Sequence, residues 1–331
     1  MLTDQRKGLG RKRKTAKTWQ QLGDCKIAGS GPQPLTLIQS RIIETRGRLA
    51  DAPDDITYQH SVLCQIGLPY RDPGADVRDW KRRQGNASLL LQAGEACDPE
   101  TGDWVKLGLP WGPKARLIMM HLNSEAIRTR SPEIDVGDSL TDFVKRIGLT
   151  TDGRTIRTIK AQVGALSAAL IRMAFIGSEG AYQIDTKVVS GFDLWLPKDE
   201  QQRVLWPSTV KLSADYFESL QRHAVPLDER AVGALSHSAM ALDVYAWLAQ
   251  RLHRIPKGGR HFIAWALLHE QFGPDFTRIR KFRETFMDAL RQVYAVYPSL
   301  KIDVTKEGLF LYPSAPPVTK TKVAGKALTK S

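Results

Sequence analysis

A chain of 331 residues exceeds what one core usually holds, and a content of 42% hydrophobic and 25% charged residues is that of a globular protein. No apolar run approaches the roughly 18 residues that cross a bilayer. The basic N-terminus is not followed by the apolar stretch of a secretory signal, and Cys25, Cys64 and Cys97 are too few and too scattered for a disulfide frame, so a cytoplasmic protein of two folded units is expected.

The first predicted segment is a basic disordered arm and linker over residues 1–34. Residues 1–17 carry seven Lys and Arg against Asp4, and Ala28-Gly29-Ser30-Gly31-Pro32-Gln33-Pro34 has the backbone preferences of a linker. Leu35, Ile38, Ile42, Ile43 and Leu49 then recur at helical spacing. Val62 to Ile66 is read as a strand, while Arg71 to Gly85 is rich in charge and turn residues. Leu117 to Ile127 predicts a mostly buried helix closed by Ser131-Pro132, followed by a short strand at Glu133–Val136. A helix over Leu140, Phe143, Val144 and Ile147 opens at a Ser139/Asp142 capping pair and closes at Gly148. Ile156, Ile159, Val163, Leu166 and Leu170 form one long amphipathic helix, and strands follow at Phe175-Ile176, Tyr182–Ile184 and Val188–Leu196.

The same order returns further on. Ser236 or Ser238 opens a helix carrying Met240, Val244, Trp247, Leu248 and Leu252, and His261–Ile263 is a short strand. Trp265–Phe272 is a second helix, and a third runs from about Phe276 to Tyr297. Lys301–Val304 and Leu309–Tyr312 form a hairpin around Gly308. The fold class expected is therefore α+β, with two tandem winged-helix domains and disordered basic tails. The domains are expected at 35–200 (dimerisation or DNA-backbone contact) and 201–317 (DNA recognition), with a second basic tail, containing Lys320, Lys322, Lys326 and Lys330, at 318–331.

The net charge of +13 favours a phosphate backbone, yet most of it lies in the two tails and the body between them is nearly balanced. The DNA reading therefore rests on helix faces. In the third helix of the second unit, Ile279, Phe282, Phe286, Leu290 and Val293 form the apolar stripe, which leaves Thr277, Arg280, Lys281, Glu284, Asp288 and Arg291 opposite, Arg278 on the flank and Arg283 nearer the core. Arg278, Arg280 and Lys281 occupy the N-terminal part, where a recognition helix reads base edges. Glu284 and Asp288 also permit an ordinary solvated face. Lys306 stands in the hairpin turn that would form a wing. In the first unit, Arg154, Arg157, Ala161, Ala165, Ala168 and Arg172 lie opposite the stripe, a face suited either to a DNA backbone or to a partner helix.

Catalytic patterns are missing. There is no His-x-His pair to accompany a tyrosine nucleophile, no phosphate-cradling Gly-x4-Gly-Lys-Ser/Thr, and no companion motif beside Ser208-Thr209-Val210-Lys211, which is read as a strand edge. His253, His261 and His269, eight residues apart, do not share a helix face, and Asp135/Asp138 lie at a strand-to-helix corner. Neither metal nor cofactor is expected.

Several longer stretches carry a family resemblance. Gly67-Leu68-Pro69-Tyr70-Arg71-Asp72-Pro73, Pro110-Trp111-Gly112 through Arg116, Leu205–Val210, Ala241–Leu248 and Gln271-Phe272-Gly273 resemble the plasmid-encoded RepA replication-initiator family, across roughly residues 35–317. The resemblance implies a non-enzymatic protein that binds repeated sequences in double-stranded plasmid origin DNA. It implies help in opening the duplex, recruitment of host replication proteins and helicase machinery, a possible homodimer and possible repression of its own gene. A winged-helix transcription regulator is the competing expectation, and a DNA-nicking initiator or recombinase a more distant one.

Overall fold

The computed structural model describes residues 37–49, 56–97, 101–136, 140–177, 180–195 and 206–318. The expected arm and linker, the Ser139 helix start and the tail beyond Val318 lie outside these residues. In chain order the elements begin with α1 (Leu37–Arg48), β1 (Ile56–His60), the short α2 (Ser61–Gln65), the pair β2 (Asp79–Gln84) and β3 (Ala87–Gln92), and the pair β4 (Glu95–Cys97) and β5 (Trp104–Lys106). A first helical unit follows: α3 (Gly112–Thr129), β6 (Glu133–Asp135), α4 (Leu140–Arg146), α5 (Gly153–Ala168), β7 (Leu170–Gly177), β8 (Gly180–Lys187), β9 (Val189–Trp195) and β10 (Trp206–Leu212). After α6 (Ala214–His223), β11 (Ala224–Asp228) and α7 (Glu229–Leu235) comes the second unit: α8 (Ala239–Arg251), β12 (His261–Ala264), α9 (Trp265–Phe272), α10 (Ile279–Val296), β13 (Ile302–Val304) and β14 (Gly308–Leu311).

The two units share a topology. Each has a helix, a short strand, two helices and a closing pair of strands, and in each three-stranded sheet the last strand lies in the middle, giving β6-β10-β9 and β12-β14-β13. Local chemistry sets the boundaries. Asp152 caps α5 by accepting from Thr155 N at 2.9 Å, Ser238 caps α8 by accepting from Ala241 N at 3.2 Å, and Gly148 takes φ +72° just past α4. The helices expected around 140–147, from Ser236 or Ser238 to Leu252, and at 265–272, and the strands expected at 133–136 and 261–263, are present as Leu140–Arg146, Ala239–Arg251, Trp265–Phe272, Glu133–Asp135 and His261–Ala264.

Two apolar cores hold the chain. One contains Leu89, Leu91, Ile118, Phe143, Ile159, Ile171 and Tyr216, and the other Trp247, Leu248, Phe272, Phe282, Phe286 and Leu309. α3 lies between them, giving Ile118, Met119 and Leu122 to the first and Leu117 and Met120 to the second. Because both cores take side chains from it, α3 is buried over most of its length, including the polar Arg116, Asn123 and Ser124. The cores cross the boundary expected at 200/201: β10 and α6 supply Val210, Leu212, Tyr216 and Leu220 to the first, while Ile42 of α1 joins the second, where α1 packs on α7 and α10. No helix among the described residues is long and apolar enough to cross a membrane.

Four local expectations are corrected. Residues 61–65 are helical and not a strand, because the His60 ring accepts from Val62 N at 3.2 Å and closes a turn. The hairpin directly after α5 is not a wing: β7 pairs with β3, building a separate sheet in the order β2-β3-β7-β8. β10, which carries Thr209 to Lys211, is a central strand and not an edge. α5 ends at Ala168, so Arg172 sits in β7, donating to Gln92 Oε1 at 2.9 Å, and Ala165 and Ala168 are buried, not exposed.

Candidate nucleic-acid interface

α10 is organised by a deep aromatic stripe. Phe282, Phe286, Leu290 and Val293 are buried, Phe282 packs edge-on against His269, and Gly273 leaves room for it, since a Cβ there would lie 2.3 Å from the Phe282 ring. Ile279, expected in the stripe, is exposed, because the helix starts at that residue and its first turn overhangs the core. Thr277 consequently precedes the helix, and Arg278 is its N-cap residue, with no side-chain cap bond. Arg280 and Lys281 face solvent and share Glu284 at 3.8 and 3.5 Å, while Arg291 pairs with Asp288. Such exposed pairs contribute about 0–1 kcal/mol, so a phosphate or base edge can replace the carboxylate cheaply. Arg283, expected nearer the core, lies with its guanidinium 4.7 Å from the Trp265 ring centroid.

The β13–β14 turn exposes Lys306 and is tied down by Thr305, whose hydroxyl accepts from Gly308 N at 3.1 Å and whose carbonyl accepts from Trp265 Nε1 at 3.2 Å. In the first unit Arg154 and Arg157 are exposed on the N-terminal half of α5, beside Lys160. Asp152 occupies that helix's N-terminus. Hydrogen bonds from the Thr150 hydroxyl and from the Thr155 backbone and hydroxyl hold its carboxyl well below the usual range. The structure therefore brings Thr277, Arg278 and Lys281 together at one groove, and leaves Arg291, Lys306 and the Arg154/Arg157 pair at separate places.

One buried polar junction was not identified from the sequence. Arg116 of α3 and Asp243 of α8 form a buried ion pair between the two cores, with Nε–Oδ1 and Nη2–Oδ2 distances of 2.6 and 2.7 Å. The remaining donors of Arg116 go to the carbonyls of Leu68, Pro69 and Gly112 at 2.5, 3.2 and 2.9 Å. Burial by itself would lower the Arg116 pKa, but the charge and hydrogen bonds of Asp243 raise it above the ordinary value, so the guanidinium stays charged. Gly67 is required here, since a Cβ would lie 1.8 Å from Asp243 Oδ2. Gln271 adds a further tie, donating to Gln65 O at 2.9 Å. The stretches Gly67–Pro73, Pro110–Arg116, Ala241–Leu248 and Gln271–Gly273 thus meet at one junction. The available signal was a lone charge inside each apolar run, Arg116 beside Leu117-Ile118 and Asp243 beside Leu242 and Val244, since a buried charge demands a partner.

The described residues hold no group of three or more His, Cys, Asp and Glu placed to share a metal ion. Residues 109–266 match the family model of plasmid encoded RepA protein. No curated protein matches the chain. Solved structures that resemble it include two crystal structures of RctB domains. A selenomethionine crystal of domains 2 and 3 of RctB has a TM-score of 0.50 and 10% identity, covering 77% of this chain and 99% of that one. A second crystal structure of RctB domains 2–3 has a TM-score of 0.46 and 10% identity, covering 76% and 94%. At this identity the likeness to the first is one of fold.

Proposed function

We propose that this chain, whose residues 109–266 match the family model of plasmid encoded RepA protein, starts plasmid replication by binding repeated sequences in double-stranded origin DNA, without catalytic chemistry of its own. The observation carrying this reading is the start of α10, where Arg278, Arg280 and Lys281 stand exposed on a helix whose opposite face is locked by buried phenylalanines. The repeated element order with matching strand order supports reading both units as winged helices. In this reading α10 lies in the major groove, the Lys306 turn is a wing, and Arg154 and Arg157 of α5 meet the DNA backbone or a second copy of the chain. The division of labour between an N-terminal dimerisation or backbone domain and a C-terminal recognition domain is retained, with the boundary moved towards residue 224 and α1 counted with the second unit. Duplex opening, recruitment of host replication proteins and action in the cytoplasm complete the proposal.

The test is a binding titration of the full chain against a repeat-bearing origin fragment and an unrelated duplex of equal length. Preference for the origin by at least the roughly thousandfold typical of specific binders, with affinity falling steeply as salt rises, is expected. Equal affinity for the two duplexes overturns it.

A further inference from the structure

We propose that the groove between the Tyr70–Arg71 segment and the start of α10 holds a backbone phosphodiester of the bound DNA, and that Arg71, from outside the second unit, clamps it. This rests on the reading of α10 as the DNA-contacting helix and adds a contact from outside that helix and its hairpin. The groove encloses about 530 Å³ and is lined by Arg71, Thr277, Arg278, Lys281 and Thr285, with His237 and Asp275 on its walls. Its cations come from stretches of chain some two hundred residues apart. Asp275 is the acidic group on the wall, and it lies 3.7 Å from the buried guanidinium of Arg82. Lys281 has its exposed partner Glu284, whereas Arg71 and Arg278 have no ion-pair partner among the described residues.

What makes Arg71 more than a surface cation is its mounting. The two residues before Tyr70 are gripped through their carbonyls by Arg116, whose other donors bind Asp243. The Tyr70 ring lies under two guanidinium groups, Arg116 at 5.1 Å and Arg82 at 5.9 Å, and Gly67 closes against Asp243 with no space for a side chain. Arg71 is therefore presented from a rigid strap beside the helix that reads DNA. A clamp held this way loses little freedom on binding. The shared ligand chemistry is a phosphodiester, which carries no sequence information.

The experiment measures binding of the full chain to origin and unrelated duplexes over a range of salt concentrations, for wild type, Arg71→Ala, Arg71→Lys and Arg280→Ala. Arg71→Ala is expected to weaken both duplexes severalfold and by equal factors, and to reduce the slope of log affinity against log salt by about 0.9. Arg71→Lys keeps the slope and recovers part of the affinity. Arg280→Ala lowers the origin-to-unrelated ratio instead. If Arg71→Ala retains wild-type affinity and slope while Arg280→Ala loses specificity, the clamp is wrong and the reading of α10 stands. If neither substitution alters binding, that reading fails with it. A thermal melt accompanies each variant, and an Arg71→Lys protein that melts as wild type yet loses the slope also overturns the clamp.

Discussion

The two third helices, α5 and α10, hold the same place in the same order of elements, yet their N-termini are opposite in character. α5 begins at a carboxylate: Asp152 accepts from Thr155 N and from the hydroxyls of Thr150 and Thr155, so the positive end of the helix is already satisfied by an anion belonging to the chain. α10 begins at Arg278 with no side-chain cap, leaving its first amide groups available to an external anion. Both helices carry exposed cations, but only α10 joins them to an open N-terminus. Charge on a helix face therefore does not separate the two helices, whereas the cap does. On the proposed function, α5 would make an accessory contact or a partner surface, and α10 would be the reading head.

The comparison presumes that the two helices are held in fixed relation, and the strongest way to break it is at the junction. Arg116→Met or Asp243→Leu leaves one charge buried alone and should destabilise the protein by about 3–5 kcal/mol in denaturant melts. The double replacement should recover much of that loss, and a simple sum of the two penalties would show that the residues do not act as a pair.

Acid should separate the regions next. His60, packed beside the first core on Tyr216 and bonded to Ser219 at 3.0 Å, has its pKa lowered to about 3, chiefly by burial and also by His223. The unfolded chain binds a proton at this residue near pH 6.5 and the folded chain only near pH 3. The stability due to neutral His60 is thus complete above pH 6.5 and is lost as pH falls between those values, by roughly 2 kcal/mol at pH 5. Urea midpoints measured from pH 7 to pH 4 should fall with that slope, and His60→Gln should flatten it.

On DNA the expected effects are smaller and differ in kind. Arg280→Ala should cost about 1–3 kcal/mol on origin DNA and relax specificity, as read from competition with single-base variants of the repeat. Arg154→Ala with Arg157→Ala should weaken all duplexes alike and reduce the salt slope by about 1.8, or else leave DNA binding intact and shift the monomer–dimer balance seen in sedimentation. Loss of base discrimination from the α5 pair would reverse the roles assigned to the two helices.

Much of the fold was legible because periodicity and punctuation agreed. Ser238, Gly273 and Gly308 mark ends that the structure keeps, and Trp265–Phe272 is helical as predicted. The misreadings arise where tertiary pairing overrides local pattern. Phe175-Ile176 and Tyr182–Ile184 do form a hairpin, but β3 takes it into another sheet, a choice made by a strand some eighty residues upstream. Residues 214–235 drew no prediction and hold α6, β11 and α7, short elements whose identity depends on contacts such as Tyr216 with Asn123 at 2.8 Å. At the candidate interface, the face of α10 was visible in the spacing of Phe282, Phe286 and Leu290. The groove was not, because Arg71 and Lys281 become neighbours only through the Arg116–Asp243 junction.

The placement of α1 has a consequence for how the protein is made. Its buried apolar residue Ile42 joins the second core, where the helix packs on α7 and α10. On a ribosome working at roughly 5–20 residues per second, α1 emerges tens of seconds before the end of α10 exists to receive it, whereas the first core can close as soon as α6 is out. In the nascent chain α1 must therefore wait for α7 before it gains its first partner and for α10 before its site is complete, so this contact closes late in synthesis, ahead only of the β13–β14 hairpin.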